Sequence, residues 1–188
     1  MRYFFIFAFA WWMTGCGGPA QQYILSQPGG AVARTHRSVA QIGVDKVAVP
    51  AYLAGNKIPI QSAAGELTFC DAAIWATAPE KGLTNHLIAY LQKSFSTPNV
   101  YRYPWDIERS NGVRLKVTLN RLVYVEQEQA VVLEASYFVE SLRGKRRRAK
   151  LFTTRVPVAK GETPLIVAAM NRAFDKLASN AAGLIAHF

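Results

Sequence analysis

Acids and thiols are scarce in this 188-residue chain: 12 Asp and Glu face 22 Lys and Arg, and there are 2 cysteines. The acid deficit leaves a formal charge of +10, which bears on partners and solubility rather than on fold. Histidine is scarce as well. His36, His86 and His187 fall in a loop, on a helix and at the C-terminus, without the spacing a zinc site needs. Gly82 and Gly112 stand alone, so there is no glycine-rich phosphate loop. Cys70 and His86 lack the flanking residues of a cysteine enzyme. Asp71, or Asp106 with Glu108, is a carboxylate set of the kind surfaces commonly carry. Internal repeats and heptads are absent. These gaps point away from an enzyme and leave no cofactor to expect.

No apolar run is long either, and the one at the start is informative for that reason. Arg2 is followed by the apolar stretch Tyr3 to Met13 and then by Thr14, Gly15 and Cys16. That run is about half of the roughly 20 residues a membrane-crossing helix needs. With its positive start and small residues at the end it has the layout of a signal peptide, and the cysteine after the small residues resembles a bacterial lipobox. The expectation is a signal peptide over 1–15, acylation of Cys16, a tether and linker over 16–38, and one domain over 39–188. Acyl chains would hold it by about 0.8 kcal/mol per buried methylene. Gly17 is not the Asp of an inner-membrane retention signal, which makes the outer membrane, on its periplasmic face, the expected site.

Once Arg2 has left with the signal, the charge falls from +10 to +9. For an exported chain nucleic acid is excluded as a partner, and anionic lipid or an acidic protein surface takes its place. With Cys16 acylated, Cys70 has no disulfide partner, so stability must come from packing.

In the chain itself, Tyr23-Ile24-Leu25 reads as a first edge strand. Gln41 to Val49 alternates apolar and polar residues as a strand does, with a change of phase near Asp45-Lys46. Ile58-Pro59-Ile60 and Leu67-Thr68-Phe69-Cys70 suggest two short strands, with Cys70 a small buried hydrophobe. Thr77 and Glu80 form a capping-box pattern with Pro79 in the first turn. Leu83, Leu87, Ile88, Leu91 and Phe95 then share one helical face, and the helix should stop before Pro98. Asn99 to Trp105 reads as aromatic and irregular, and Ser110-Asn111-Gly112 as a turn.

Beyond that turn the pattern is clearest. Val113, Leu115, Val117 and Leu119 alternate with polar residues, and Leu122 and Tyr124 then carry the apolar face, so a β-bulge is predicted near Asn120. After a turn at Glu126–Gln129, Val131, Leu133, Ala135, Tyr137 and Val139 share a face. Phe152, Thr154, Val156 and Val158 form a third strand, completing an antiparallel meander. Thr163-Pro164 opens the last helix, whose stripe runs Ile166, Met170, Phe174, Leu177, Ala181 and Leu184. The fold class is therefore α+β: an antiparallel sheet, made of the three-stranded C-terminal meander plus N-terminal strands, packed against two amphipathic helices. Leu87, Leu91, Leu115, Leu133, Met170 and Phe174 form the expected core.

Taken in order, the cysteine, Tyr23-Ile24-Leu25, Val47 to Leu53, Trp75-Ala76 leading into a helix with Gly82-Leu83 and Leu87, Val100-Tyr101, Tyr103-Pro104-Trp105 and the closing helix look like one known family. The chain resembles the ABC-type transport auxiliary lipoproteins, the PqiC-like group, from about Tyr23 onward. The resemblance implies a periplasm-facing lipoprotein that partners an MCE-domain protein and its ABC permease, in a machine moving lipid between inner and outer membranes. An envelope assembly or structural lipoprotein that carries no lipid is the alternative, and a periplasmic hydrolase a third.

Two groups are the candidate contacts with a partner or the membrane. One is the aromatic set Tyr52, Trp75 and Trp105, since aromatics offer large rigid area with a polar handle. The other is the run Arg143, Lys145, Arg146, Arg147, Arg148 and Lys150, six cations within eight residues, expected to crowd a hairpin tip. A homo-oligomer is a further possible partner state.

Overall fold

The computed structural model describes residues 20–25, 28, 30–35, 39, 41–63, 65–104, 112–143 and 146–188. Eight strands form one sheet with two helices: β1 (Gln21–Tyr23), β2 (Ile42–Val44), β3 (Lys57–Ala63), β4 (Glu66–Trp75), α1 (Pro79–Phe95), β5 (Val100–Arg102), β6 (Val113–Val125), β7 (Ala130–Ser141), β8 (Arg147–Pro157) and α2 (Thr163–Ala186). A 3-10 turn occupies Ala51–Leu53.

The meander β6–β7–β8 is the frame, and the register shift between Leu119 and Arg121 is the bulge predicted at Asn120. It is needed because the apolar side chains change from odd to even numbers there, and only an extra residue keeps both sets on one face. N-terminal strands join this frame in parallel rather than antiparallel fashion. β2 pairs with the first part of β6, and β3 with the last part. β4 runs antiparallel beside β3, and β1 parallel beside β4. The sheet is therefore mixed around an antiparallel centre. Its helices lie together, α2 on β6, β7 and β8, and α1 against α2, β2 and β5. Leu87, Leu91, Leu115, Leu133, Met170 and Phe174 are all fully buried between them, as expected.

Several boundaries differ from the sequence expectation, each for a local reason. Gln41 to Val49 is a strand over Ile42–Val44 and then touches β6 again through a single bridge from Ala48 to Thr118, because Asp45 turns aside to take two bonds from Arg114, at 2.8 and 2.9 Å. The expected capping box at Thr77 does not form. Ala78 is the N-cap and has no side-chain cap bond, while Glu80 pairs instead with Lys46. Thr84, fully buried, donates to Glu80 O at 2.6 Å and accepts from Val47 N–H at 3.0 Å, which fastens the β2 segment to α1. At α2 the N-cap is Glu162, one residue before Thr163. Val100–Arg102, read as irregular, is β5, paired in parallel with β2. Gly112 has a packing reason for being glycine. A Cβ there would lie 2.7 Å from Gln41 O, closer than side-chain carbon and backbone oxygen can approach.

Candidate functional site

β8 ends the sheet among the described residues, and it carries three of the six cations of the basic run. Arg147, Arg148 and Lys150 lie inside the strand, not at the hairpin tip where the sequence pattern put them. Lys145 lies outside the described residues, and Arg143 is exposed at the turn between β7 and β8. A strand conformation sends successive side chains to opposite faces, so the cations divide. Arg147 goes to the helix-free face and lies 3.8 Å from the ring centre of Phe138. Arg148 and Lys150, opposite Val139 and Tyr137 in β7, go to the helix side. Arg146, just before the strand, reaches the Phe188 ring at 5.2 Å.

On the helix side Arg148 and Lys150 form one wall of an open groove of about 780 Å³. The facing wall is the flank of α2: Lys176, Ser179, Asn180, Gly183, Leu184 and His187. Arg148 donates to His187 O at 3.1 Å, closing one end. Tyr137 donates to Asn180 at the groove floor, and burial pushes its hydroxyl pKa upward. No acid among the described residues forms an ion pair with Arg148, Lys150 or Lys176. The groove thus concentrates uncompensated positive charge and can hold an anionic group. Lys176 was missed in the sequence because the stripe of α2 drew attention to its apolar side. Its spacing of four from Asn180 was the available signal, since residues so spaced share a flank.

The aromatic candidates are not brought together. Trp75 is only 4% exposed, at the end of β4 beside Tyr23, so its indole packs in the core and offers little area to a partner. Tyr52 is half-buried, and its hydroxyl accepts the Leu122 N–H at 3.0 Å. Burial is the main cause of its raised pKa. Trp105 and Cys16 lie outside the described residues.

The chemistry discounted at the sequence level has structural counterparts. Cys70 is half-buried rather than buried, 3.4 Å from the Thr163 hydroxyl. His86, fully buried, has its Nε2 2.7 Å from Asp175. Each has found a partner other than the other. Asp71 is exposed and paired with Lys57, whereas Asp106 and Glu108 lie outside the described residues. Near the start of β6, Arg114 bridges Asp45 and Glu140 and lies over Tyr103 at 4.2 Å. Its bond to Asp45 is the main reason its pKa is raised. Among the described residues no group of three His, Cys, Asp or Glu side chains is placed to hold a metal, and no helix is long and apolar enough to cross a membrane.

The sequence over residues 23–182 matches the family model described as the ABC-type transport auxiliary lipoprotein component. The chain belongs to that family. Two solved structures share the fold of this auxiliary lipoprotein. One is the crystal structure of an uncharacterized protein, at TM-score 0.72 and 20% identity, covering 89% of this chain and 99% of that one. The other is a Xanthomonas campestris protein of the DUF330 family, at TM-score 0.69 and 18% identity, covering 89% of this chain and 95% of that one. At these identities the likeness is one of fold. No curated protein matches the sequence. Membership makes the chain a membrane-anchored transport auxiliary component facing the periplasm, associated with an ABC transport system.

Proposed function

We propose that this auxiliary lipoprotein is a non-enzymatic subunit of an ABC transporter of the MCE type that moves lipid between the inner and outer membranes. The observation that carries this is the family match over residues 23–182. Residues 1–15 are the signal peptide, acylated Cys16 anchors the chain in the outer membrane, and the domain faces the periplasm, where it meets the MCE-domain protein.

The architecture supports a short leash. β1 begins at Gln21, inside the stretch expected to be tether, so only five residue steps separate Cys16 from the sheet. At about 3.6 Å per residue they span at most roughly 18 Å. The domain is held beside its membrane and must receive cargo or partner there. The described interior is filled by aliphatic and aromatic side chains, and the groove between β8 and α2 is open to the surface, so we read the subunit as one that docks on a partner.

Affinity purification of the full lipoprotein from detergent-solubilised envelopes tests the proposal. An MCE-domain protein and an ABC permease should co-purify with it, together with phospholipid. Metabolic labelling with a fatty acid should mark the wild type and not Cys16→Ala, which should appear as a soluble species or an uncleaved precursor. Labelling of Cys16→Ala, or co-purification of neither protein, would overturn the proposal.

A further inference from the structure

The outer edge of β8, unpaired among the described residues, has the backbone of a docking strand. The β7–β8 ladder is closed at its ends by Ser141 N–H to Arg146 O, at 3.1 Å, and Val158 N–H to Gln129 O, at 2.8 Å, with no register shift between. Directly opposed residues exchange bonds in alternate pairs in such a ladder. The even-numbered residues of β8 therefore bond to β7. Arg147, Ala149, Leu151, Thr153 and Arg155 turn their N–H and C=O groups outward, and none of these groups has a backbone partner among the described residues. Beside Ala149, Leu151 is 83% exposed.

We propose that an extended acidic segment of a partner protein adds to this edge as a ninth strand, its acidic side chains turned toward Arg148, Lys150 and Lys176. Main-chain bonds supply affinity in this binding mode, and alternate side chains supply specificity. On the helix side the added strand would lie along the cationic groove. On the opposite side it would lay an apolar residue beside Leu151.

Charge chooses the occupant. A second copy, pairing its own β8 antiparallel to this one, would set Arg147 and Arg155 against like charges, which is unfavourable. The chain's own first 44 residues contain no Asp or Glu, so they do not complement the edge either. The anchor makes the bilayer less suitable. β1, nearest Cys16, lies at the opposite end of the sheet, separated from β8 by β4, β3, β6 and β7. Five spacings of about 4.8 Å make roughly 24 Å along the sheet, against a screening length of about 8 Å at physiological salt. The proposal rests on the chain being a docking subunit but not on the cargo being lipid.

The test uses the full lipoprotein in detergent micelles with a blocked Glu-Val-Glu-Val-Glu-Val peptide as probe, at low salt. Residue-resolved hydrogen exchange should show added protection at the amides of 147, 149, 151, 153 and 155. N-methylation of the peptide at alternate residues should weaken binding at least about tenfold, since two lost backbone bonds are together worth roughly that factor. The peptide with Lys for Glu should not bind. Ala149→Pro, which removes an outward N–H without touching the ladder, should weaken binding with an unchanged melting temperature. Should that variant unfold, the N-methylated peptide decides alone. Equal binding by the N-methylated peptide would reduce the site to a charge patch and overturn the proposal. So would a protein that ignores the peptide but binds phosphatidylglycerol vesicles, or one that dimerises through β8 instead. Because the components are purified, failure here leaves the envelope co-purification result standing.

Discussion

Replacing Tyr52 with Phe removes one oxygen atom and tests how the sheet closes. The outer edge of β6 is served by Ala48 O, which accepts from Leu119 N–H at 2.8 Å, and then by β3, which pairs from Tyr124 onward. Leu122, fully buried, lies in the gap between them, and the Tyr52 hydroxyl takes its N–H at 3.0 Å. Tyr52→Phe keeps the ring and leaves this amide without an acceptor. An orphaned buried donor costs about 1–3 kcal/mol. For a chain of this length that is a fall in melting temperature of roughly 2–12 °C. Circular dichroism melts of the two purified lipoproteins measure it, and urea unfolding should show a lower midpoint with the same slope. A fall below about 1 °C would show that the bond contributes nothing. If Phe at 52 melted like wild type yet lost its co-purifying partner, the ring would belong to a recognition surface instead.

Other outcomes follow from the packing. Leu133→Ala and Leu115→Ala, each truncating a fully buried side chain, should cost about 2–5 kcal/mol by urea denaturation, and losses below about 1 kcal/mol for both would place the core elsewhere. Asp175→Ala strands the buried His86 Nε2 and should cost about 1–3 kcal/mol, while Asp175→Asn, which can still bond, should recover most of it. Gly112→Ala forces a carbon against Gln41 O and should cost about 1–3 kcal/mol, read from the melting temperature. For Tyr52 and Tyr137 the folded pKa lies above the ordinary 10.0, so the folded state holds the proton more tightly. Stability from these groups is complete below pH 10 and lost as pH rises through their folded pKa values. Urea midpoints should therefore fall above pH 10, and by less in the double Phe variant.

The legible parts of this chain were those with long periods to read. Thirteen residues of β6 and 24 of α2 repeat their pattern often enough to fix type, face and even the bulge, because burial on one side selects every second or every third to fourth residue. Short elements gave no such repetition. β5, three residues between Pro98 and Pro104, is a strand only because β2 supplies a partner, and β2 is fixed in turn by β6. The parallel pairing of the N-terminal strands was hidden for the same reason, since register across distant segments leaves no local mark. Charge misled in one place. Arg147 to Lys150 looked like a loop because cations are rare in a sheet interior, but β8 is an edge, where basic residues are tolerated and even guard against unwanted pairing. Once that strand was in place, Arg148 and Lys150 could be assigned to a groove whose other wall, with Lys176, comes from α2.

The parallel pairing also has a kinetic consequence. β7 meets β6 across the turn at Glu126–Gln129, but Ile42 must find Val113, and Ile60 must find Tyr124, across 113 − 42 = 71 and 124 − 60 = 64 residues. Near contacts close quickly and distant ones slowly. A chain emerging N-terminus first presents β1 to β5 before the strand that completes them has left the translocation channel. Throughout that interval its open strand edges are aggregation-prone, and acylation at Cys16 would hold them against a crowded membrane surface. The edges that β2 and β3 turn toward the frame therefore stay open until β6 arrives from the middle of the chain.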